Sequence, residues 1–135
     1  MNCGSVFFDE AFAFHGGKTG EKLFIVLGTA NSVSVISKTT SQQNGRGTTF
    51  GCQPTDRFHN FFLPPNSCYF KTSTWVCLDV FYELNATKAL QKKFMGQIKP
   101  VCDLEDQLIR GIQDCAILSK DITRAQVAAI KSCLV

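Results

Sequence analysis

Side chains that suit acid–base chemistry on a phosphate group occur at four positions in the first two-thirds of this sequence. His15 lies in a glycine-rich segment, and Thr40 and Ser41 follow a predicted strand. Asp79 stands among the apolar residues of another predicted strand, where acidic residues are uncommon. If these strands pack side by side, the imidazole, the two hydroxyls and the carboxylate converge on one site.

Such a set of groups fits the cleavage of RNA without a metal ion. The 2′-hydroxyl of the RNA is the nucleophile, so the protein must supply a general base, a general acid and donors for the phosphate. Asp79 or His15 would be the base, and His15 or a lysine the acid. Thr40, Ser41 and Lys18 would bind the phosphate. A structural interpretation stays open, in which Asp79 caps a turn or pairs with a lysine and the others belong to turns and a solvated loop.

Two other motifs predict less. Gly17-Lys18-Thr19 lacks the glycine that a phosphate-binding loop needs five residues earlier, because Phe12 stands there. A zinc- or thiol-dependent protein is a further alternative, with candidate residues Cys52, His59, Cys68 and Cys77. Structural zinc sites usually contain close cysteine pairs, whereas these residues are separated by six, eight and eight others. We therefore expect no metal and no cofactor.

Length and composition limit the class of protein. The chain has 135 residues, of which 44% are hydrophobic and 19% charged, so it fits one domain with a real core. No apolar run is long enough to span a bilayer, and Asp9 and Glu10 stand where a signal peptide would be basic or apolar. Seven evenly spread cysteines are predicted to be reduced, mostly buried thiols of a cytoplasmic protein.

The net charge of +3 is too small by itself to predict nucleic-acid binding. Its distribution says more, since residues 38–71 contain four basic residues and one acid. Arg46 and Arg57 are the candidates in that stretch for contacts with RNA. Residues 88–99 contain four lysines and no acid, for which a solvated helix face is the simpler interpretation.

The elements that must position these residues are predicted to be strands first and helices later. The domain would span residues 1–135, with a β-rich part at 1–85 and a helical part at 86–135. Apolar runs rich in strand formers predict strands at Ser5–Phe8, Lys22–Leu27, Ser32–Ile36, Phe61–Leu63 and Thr72–Leu84. Segments 9–21 and 37–58 are predicted to be loops, and the second is long enough to be functional or mobile.

Helical periodicity dominates the last third. Helices are predicted at 86–95, from near Asp103 and from Thr123, the last with a capping-box pattern that ends at Gln126. The predicted fold class is therefore α+β and mainly β, a small antiparallel sheet or barrel flanked by C-terminal helices.

Three segments, in their order along the chain, resemble the MazF/PemK/Kid toxin family. His15–Leu27 resembles the opening loop and strand, Val33–Ser41 the second strand that ends in Thr-Ser, and Trp75–Asp79 a later strand that ends in aspartate. A helical tail like Leu104–Ile117 follows in both, so the resemblance covers residues 4–118. It implies an SH3-like barrel, a metal-independent endoribonuclease of a toxin–antitoxin system, RNA as substrate, a homodimer and an antitoxin partner. It also implies catalytic or phosphate-binding roles for His15, Thr40, Ser41 and Asp79.

The sequence departs from the family pattern most clearly at Cys77. The family often has an arginine there, two residues before the aspartate, that acts on the phosphate. Lys22-Leu23 replaces the family's Arg-Pro, and Ser5 stands where an acid is common. The segment Gln42–His59 has no counterpart in the family.

Two alternatives follow from the missing arginine. Arg46, Arg57 or His59 from the additional segment replaces the lost cation, which keeps the nuclease. Otherwise the fold persists without nuclease activity, because a fold does not determine a function. The protein would then be a non-catalytic module that binds protein or nucleic acid on the same barrel.

Overall fold

The chain folds into eight β-strands and three α-helices, and the computed structural model describes all residues from Met1 to Val135. The strands are β1 (Ser5–Ala13), β2 (Thr19–Ala30), β3 (Val33–Thr40), β4 (Gly51–Gln53), β5 (Asn60–Leu63), β6 (Thr74–Cys77), β7 (Tyr82–Asn85) and β8 (Ile98–Asp103). The helices are α1 (Ala86–Phe94), α2 (Asp106–Ile117) and α3 (Arg124–Ser132). None of the helices has the length and apolar character needed to cross a membrane.

Strand β3 organises a sheet in which all strand pairs are antiparallel, in the order β4-β5-β6-β3-β2-β1-β8. One edge of β3 pairs with β2. Along the other edge, Val33–Ile36 pair with β7, and Thr39 and Thr40 pair with β6. The α+β class with a mainly antiparallel sheet is confirmed. The predicted closure into a barrel is wrong, because β8 takes the free edge of β1 and does not pair with β4 at the other end.

The sheet buries apolar side chains on both faces, because successive residues of a strand point to opposite sides. We call the side covered by α2 and α3 the helix face and the other side the aromatic face. The core of the helix face includes Ile25, Val76, Leu78, Ile112 and Ile130. The core of the aromatic face includes Phe7, Phe12, Phe24, Ile36 and Tyr82.

The predicted loop at 9–21 is wrong, because all of it except residues 14–18 belongs to the two strands of a hairpin. Strand β1 runs to Ala13 and β2 begins at Thr19, which leaves a turn of residues 14–18. The register of the two strands shifts between Asp9 and Phe12. This bulge interrupts the alternation of apolar and polar residues, which is the pattern that predicts a strand.

Two further boundaries differ from the prediction. The predicted strand Thr72–Leu84 is two strands, β6 and β7, separated by a bend at 78–81. Strand β8 lies in the part predicted to be helical. It is an edge strand with Pro100 inside it and is mostly solvent-exposed, so it carries no apolar pattern.

A buried ion pair holds α1 on the sheet. The ammonium of Lys92 in α1 donates to Asp9 Oδ2 in β1 and to the Ala11 carbonyl, at 3.1 Å for the carbonyl. Both side chains of the ion pair are at least nine-tenths buried. Because a buried charge is costly without a partner, removal of either one would be more damaging than the loss of a surface pair.

Six of the seven cysteines lie in three disulfide pairs, so the prediction of reduced thiols is wrong for all but Cys77. The pairs are Cys3–Cys133, Cys52–Cys115 and Cys68–Cys102. They join residues 130, 63 and 34 positions apart, so their even spacing along the chain gave no sign of pairing. Cys77 is buried in β6 as a free thiol.

Gly28 in β2 should tolerate no side chain, because α3 packs directly on it. A Cβ at Gly28 would lie 2.6 Å from the Ile130 nitrogen and 2.7 Å from the Ala129 carbonyl carbon. We expect Gly28→Ala to lower the free energy of unfolding by about 1–3 kcal/mol, the usual range for an overpacked core, as measured by urea denaturation. Gly16→Ala is the control, since a Cβ there meets no atom within 4 Å. Equal stability of the two variants would contradict this packing.

Candidate functional site

His15 lies in the turn between β1 and β2, and two contacts orient its exposed ring. The ring stacks on Tyr82, with centroids 4.1 Å apart and planes 9° from parallel. Its Nε2 lies 2.9 Å from the Phe81 carbonyl oxygen. Because a carbonyl only accepts hydrogen bonds, Nε2 carries the proton. In the neutral ring, Nδ1 is then the nitrogen that can accept a proton.

Asp79 lies in the bend between β6 and β7, close to the same tyrosine. Its side chain is half-buried, and its Oδ1 is fully buried with no hydrogen-bond partner. Burial raises the pKa of Tyr82, the backbone of His15 opposes this by a hydrogen bond, and the charge of Asp79 adds to the rise. Tyr82 therefore contacts His15 directly and is influenced by the charge of Asp79.

Cys77 stands at the centre of a group of charged side chains on the aromatic face. The register of β3 and β6 sets Lys38 opposite Cys77, because Thr39 pairs with Val76. Burial raises the pKa of the Cys77 thiol from its ordinary value of 9.0. The charges of Arg46, Lys38 and Lys22 lower it, and that of Asp79 raises it. The thiol therefore stays protonated and neutral among three cations and one carboxylate.

Arg46 is held in this group by the segment 42–50 between β3 and β4, which we call the covering loop. Its guanidinium donates through Nη1 to the carbonyls of Gln42 and Gln43, at 3.3 and 3.4 Å. It also lies over the ring of Phe58, at 5.2 Å from the centroid. The residue is 91% buried, and its Nε has no hydrogen-bond partner. No carboxylate pairs with Arg46, so its charge is uncompensated.

The covering loop is fixed on the aromatic face by hydrogen bonds to buried groups. Asp56 Oδ2 accepts from the Gly47 N–H at 2.7 Å and from the Asn60 side-chain amide at 3.0 Å. Trp75 Nε1 donates to the Gly47 carbonyl at 2.8 Å. Gly47 follows Arg46 directly, so these bonds determine where the guanidinium lies.

A cavity of about 750 Å³ adjoins this group at the end of β3. Its lining includes Lys22, Thr40, Ser41, Tyr69 and Lys71. The Thr40 hydroxyl accepts a hydrogen bond from the Gln42 N–H at 3.1 Å, and Ser41 is exposed. Since Lys22 also lowers the pKa of Cys77, the cavity and the charged group lie side by side.

The sequence-predicted residues therefore divide into three sets. His15 stacks on Tyr82, Asp79 influences Tyr82 and Cys77 by its charge, and Arg46 influences Cys77, while Thr40 and Ser41 line the adjoining cavity. Lys18 is exposed in the turn that carries His15, and its side chain makes no hydrogen bond. Arg57 is exposed and lies over the Phe58 ring at 5.2 Å from the centroid.

Sequence reasoning left three neighbours out of the predicted site, namely Tyr82, Cys77 and Lys38. Tyr82 has the pattern of a core residue, and Lys38 meets Cys77 only through the register of two strands. Only Cys77 gave a signal, because it stands where the toxin family has arginine.

The four residues considered as zinc ligands do not come together. Cys68 pairs with Cys102, and Cys77 is opposite Asn60 on the aromatic face. Cys52 and His59 meet Cys115 instead. Only two of the four residues considered therefore belong to this cluster.

Asp56→Ala should release the covering loop, because the Gly47 N–H and the Asn60 amide lose their common acceptor. An unsatisfied buried donor costs about 1–3 kcal/mol. We expect trypsin to cleave native protein after Arg46 about fivefold faster or more, the factor that corresponds to about 1 kcal/mol. Thr55→Ala, at an exposed neighbour, is the control. Unchanged cleavage of the Asp56 variant would mean that other contacts hold the loop.

The pKa of Cys77 should report its charged neighbours. With 13C-labelled cysteine, the Cβ shift of Cys77 should titrate above 9.0, since the other six cysteines form disulfides. Arg46→Gln should raise the midpoint further and Asp79→Asn should lower it, whereas Lys120→Gln at an exposed position should leave it unchanged. Because the folded-state pKa of Cys77 lies above the unfolded value of 9.0, its contribution to stability is fully present below pH 9. This contribution is lost as the pH rises through the folded-state pKa. A midpoint that ignores both substitutions would refute the proposed neighbourhood.

The sequence matches no protein-family model and no curated protein at a significant level. The resemblance to the MazF/PemK/Kid toxins therefore depends on its ordered segments alone. What the site can do has to be inferred from its chemistry, an oriented imidazole and a carboxylate beside uncompensated cations.

Proposed function

We propose that this protein is a metal-independent endoribonuclease of the toxin type, similar to MazF, PemK and Kid. The observation that carries the proposal is a shared neighbourhood, in which His15 stacks on Tyr82, the charge of Asp79 acts on both Tyr82 and Cys77, and Arg46, which pairs with no carboxylate, acts on Cys77. These residues come from three separate parts of the chain. Together they supply what attack by an RNA 2′-hydroxyl requires, which is a base, an acid and a cation.

The reaction takes place in one displacement at phosphorus. Asp79 removes the proton from the 2′-hydroxyl, and the 2′-oxygen forms a bond to phosphorus as the bond to the 5′-oxygen breaks. His15, protonated at Nδ1, gives its proton to the leaving 5′-oxygen. The hydrogen bond from Nε2 to the Phe81 carbonyl and the stacking on Tyr82 keep the ring in place for this step. The products are a 2′,3′-cyclic phosphate and a 5′-hydroxyl.

The phosphate would be bound by the cations around Cys77. Arg46, supplied by the covering loop, replaces the arginine that the toxin family carries at the position of Cys77. Lys38 and Lys22 add to the positive charge, and the hydroxyls of Thr40 and Ser41 line the cavity where the chain of the RNA would continue. Partly buried cations act more strongly on a phosphate than solvated ones, because the local dielectric constant is lower.

The proposal includes the wider properties of the family. These are a sheet related to the SH3-like barrel, a homodimer and an antitoxin that restrains the enzyme. Leu90, Phe94 and Met95 on and after α1 support an interface with another protein chain, since they are 63%, 90% and 69% exposed. Apolar side chains that project together from a surface are typical of such interfaces.

The decisive experiment is cleavage of single-stranded RNA by the purified protein in the presence of a chelator. We expect products with 2′,3′-cyclic phosphate ends, identified by mass spectrometry, and no cleavage of 2′-O-methyl RNA. Asp79→Asn and His15→Gln should each lower the rate about 10²- to 10⁴-fold, the usual contribution of a general acid or base. Asp121→Asn, at an exposed position outside the site, should cleave like wild type.

A parallel assay follows growth and total RNA after induced expression in bacteria. Growth arrest with RNA fragmentation, relieved by Asp79→Asn, is the result that a ribonuclease toxin gives. Full cleavage by both site variants would refute the assignment of His15 and Asp79. Cleavage that depends on an added metal ion would refute the mechanism.

A second candidate function is a module that binds nucleic acid or protein without cleaving it. The observation in its favour is Cys77, a neutral thiol at the position of the family's phosphate-binding arginine. Fluorescence anisotropy would then detect RNA binding that weakens as salt is added, with the RNA intact afterwards.

A further inference from the structure

Three metal-binding side chains lie together on the helix face, away from the candidate active site. One ligand atom each of Cys52, His59 and Cys115 lies within 4.8 Å of the other two. Cys52 is in β4, His59 immediately precedes β5, and Cys115 is in α2. Cys115 is 1% exposed, and the other two are half-buried. The three residues therefore form a partly buried cluster of two sulfurs and one imidazole.

The two sulfurs are bonded to each other in this structure, and His59 borders the bond. His59 Nε2 lies 3.6 Å from Cys115 Sγ. Two ligands of one tetrahedral zinc ion, at the usual Zn–N and Zn–S distances, are about 3.5 Å apart. The nitrogen and the nearer sulfur thus already have the separation that a shared ion requires.

We propose that reduction of the Cys52–Cys115 disulfide creates a zinc site formed by Cys52, Cys115 and His59. A dithiol or phosphine reductant supplies two electrons, and two protons complete the two thiols. Binding of Zn²⁺ then releases both thiol protons, and water occupies the fourth position. The Nε2 proton, which is donated to the Cys115 carbonyl at 2.6 Å, moves to Nδ1 so that Nε2 can bind the ion.

Both the charge and the spacing of the two sulfurs favour a bound Zn²⁺ over two free thiolates. The two negative sulfurs neutralise the charge of Zn²⁺, so the half-buried site carries no net charge. Bound to one ion, the sulfurs would lie about 3.8 Å apart, so rotation of the two short side chains suffices. The ion would join the β4–β5 hairpin to α2, as the disulfide does. Disulfide and metal site are therefore alternative states of one link, selected by the redox conditions.

The long sequence separations explain why spacing did not predict this site. Cys115 is 56 residues beyond His59, and only the packing of α2 on β4 and β5 brings them together. Phe61 reinforces this packing, since its ring carbon lies 3.3 Å from the position that a Cβ of Gly111 would occupy. The site does not rest on the proposed nuclease function, because none of its residues belongs to that site.

Cobalt binding to the reduced protein tests the proposal, since Co²⁺ reports zinc sites by its absorption. We expect fully reduced wild type to bind one Co²⁺ with a thiolate-to-cobalt charge-transfer band and the visible bands of tetrahedral geometry. Added Zn²⁺ should abolish these bands, and oxidised protein should show none. His59→Gln keeps both cysteines and should weaken binding about tenfold or more, since even partners outside the ligand set contribute 10- to 100-fold.

Matched variants separate this site from the other thiols. The double variant Cys68→Ser/Cys102→Ser removes another pair and should bind Co²⁺ like wild type, whereas Cys52→Ser should not. Circular dichroism of each variant verifies its fold. No tetrahedral spectrum from folded, reduced wild type would overturn the proposal. A spectrum that survives His59→Gln unchanged, or that is lost in the Cys68/Cys102 variant, would overturn it as well.

Discussion

The shared edge of β3 is the constraint on which the rest of the structure depends. The first half of this edge pairs with β7 and the second half with β6. The chain must therefore pass from the end of β6 to the start of β7 within the bend at 78–81. The Leu78 N–H in this bend donates to the His59 carbonyl at 2.9 Å, outside β3. Asp79 follows Leu78 directly, and the register of the strands gives it no partner residue. The bend between β6 and β7 thus places the carboxylate of Asp79 on the aromatic face.

Most of the buried side-chain atoms without hydrogen-bond partners belong to residues around the bend between β6 and β7. Four buried side-chain atoms make no hydrogen bond, and three of them are Arg46 Nε, Asn60 Oδ1 and Asp79 Oδ1, the fourth being Ser37 Oγ. Each such atom costs about 1–3 kcal/mol, and folded proteins accept such costs chiefly where a site must be ready for a ligand. Asn60 lies opposite Cys77, the thiol that Arg46 and Asp79 also influence. Three of the four unpaired atoms therefore belong to residues around Cys77.

Local features of this fold are visible in the sequence, whereas long-range ones are not. The capping box at Thr123 is confirmed, because its two hydrogen bonds join residues only three positions apart. Asp79 stood out as an acid among apolar residues, but Tyr82 has the same pattern as any core aromatic. Lys38 meets Cys77 only through the register of β3 and β6, which a sequence pattern does not specify when only two residue pairs join the strands. In the candidate site, Asp79 was thus recognisable from the sequence, whereas Tyr82 and Lys38 were not.

The β4–β5 hairpin links the two faces of the sheet. Cys52 lies opposite Phe61 in the core of the helix face, while Asn60 lies opposite Cys77 on the aromatic face. Asn60 also donates to Asp56, which anchors the covering loop. Because a packed strand pair moves as a unit, a displacement at the thiol cluster cannot stay on one side of the sheet. The link between β4 and α2, whether disulfide or metal, therefore limits how far the covering loop can move away from the site.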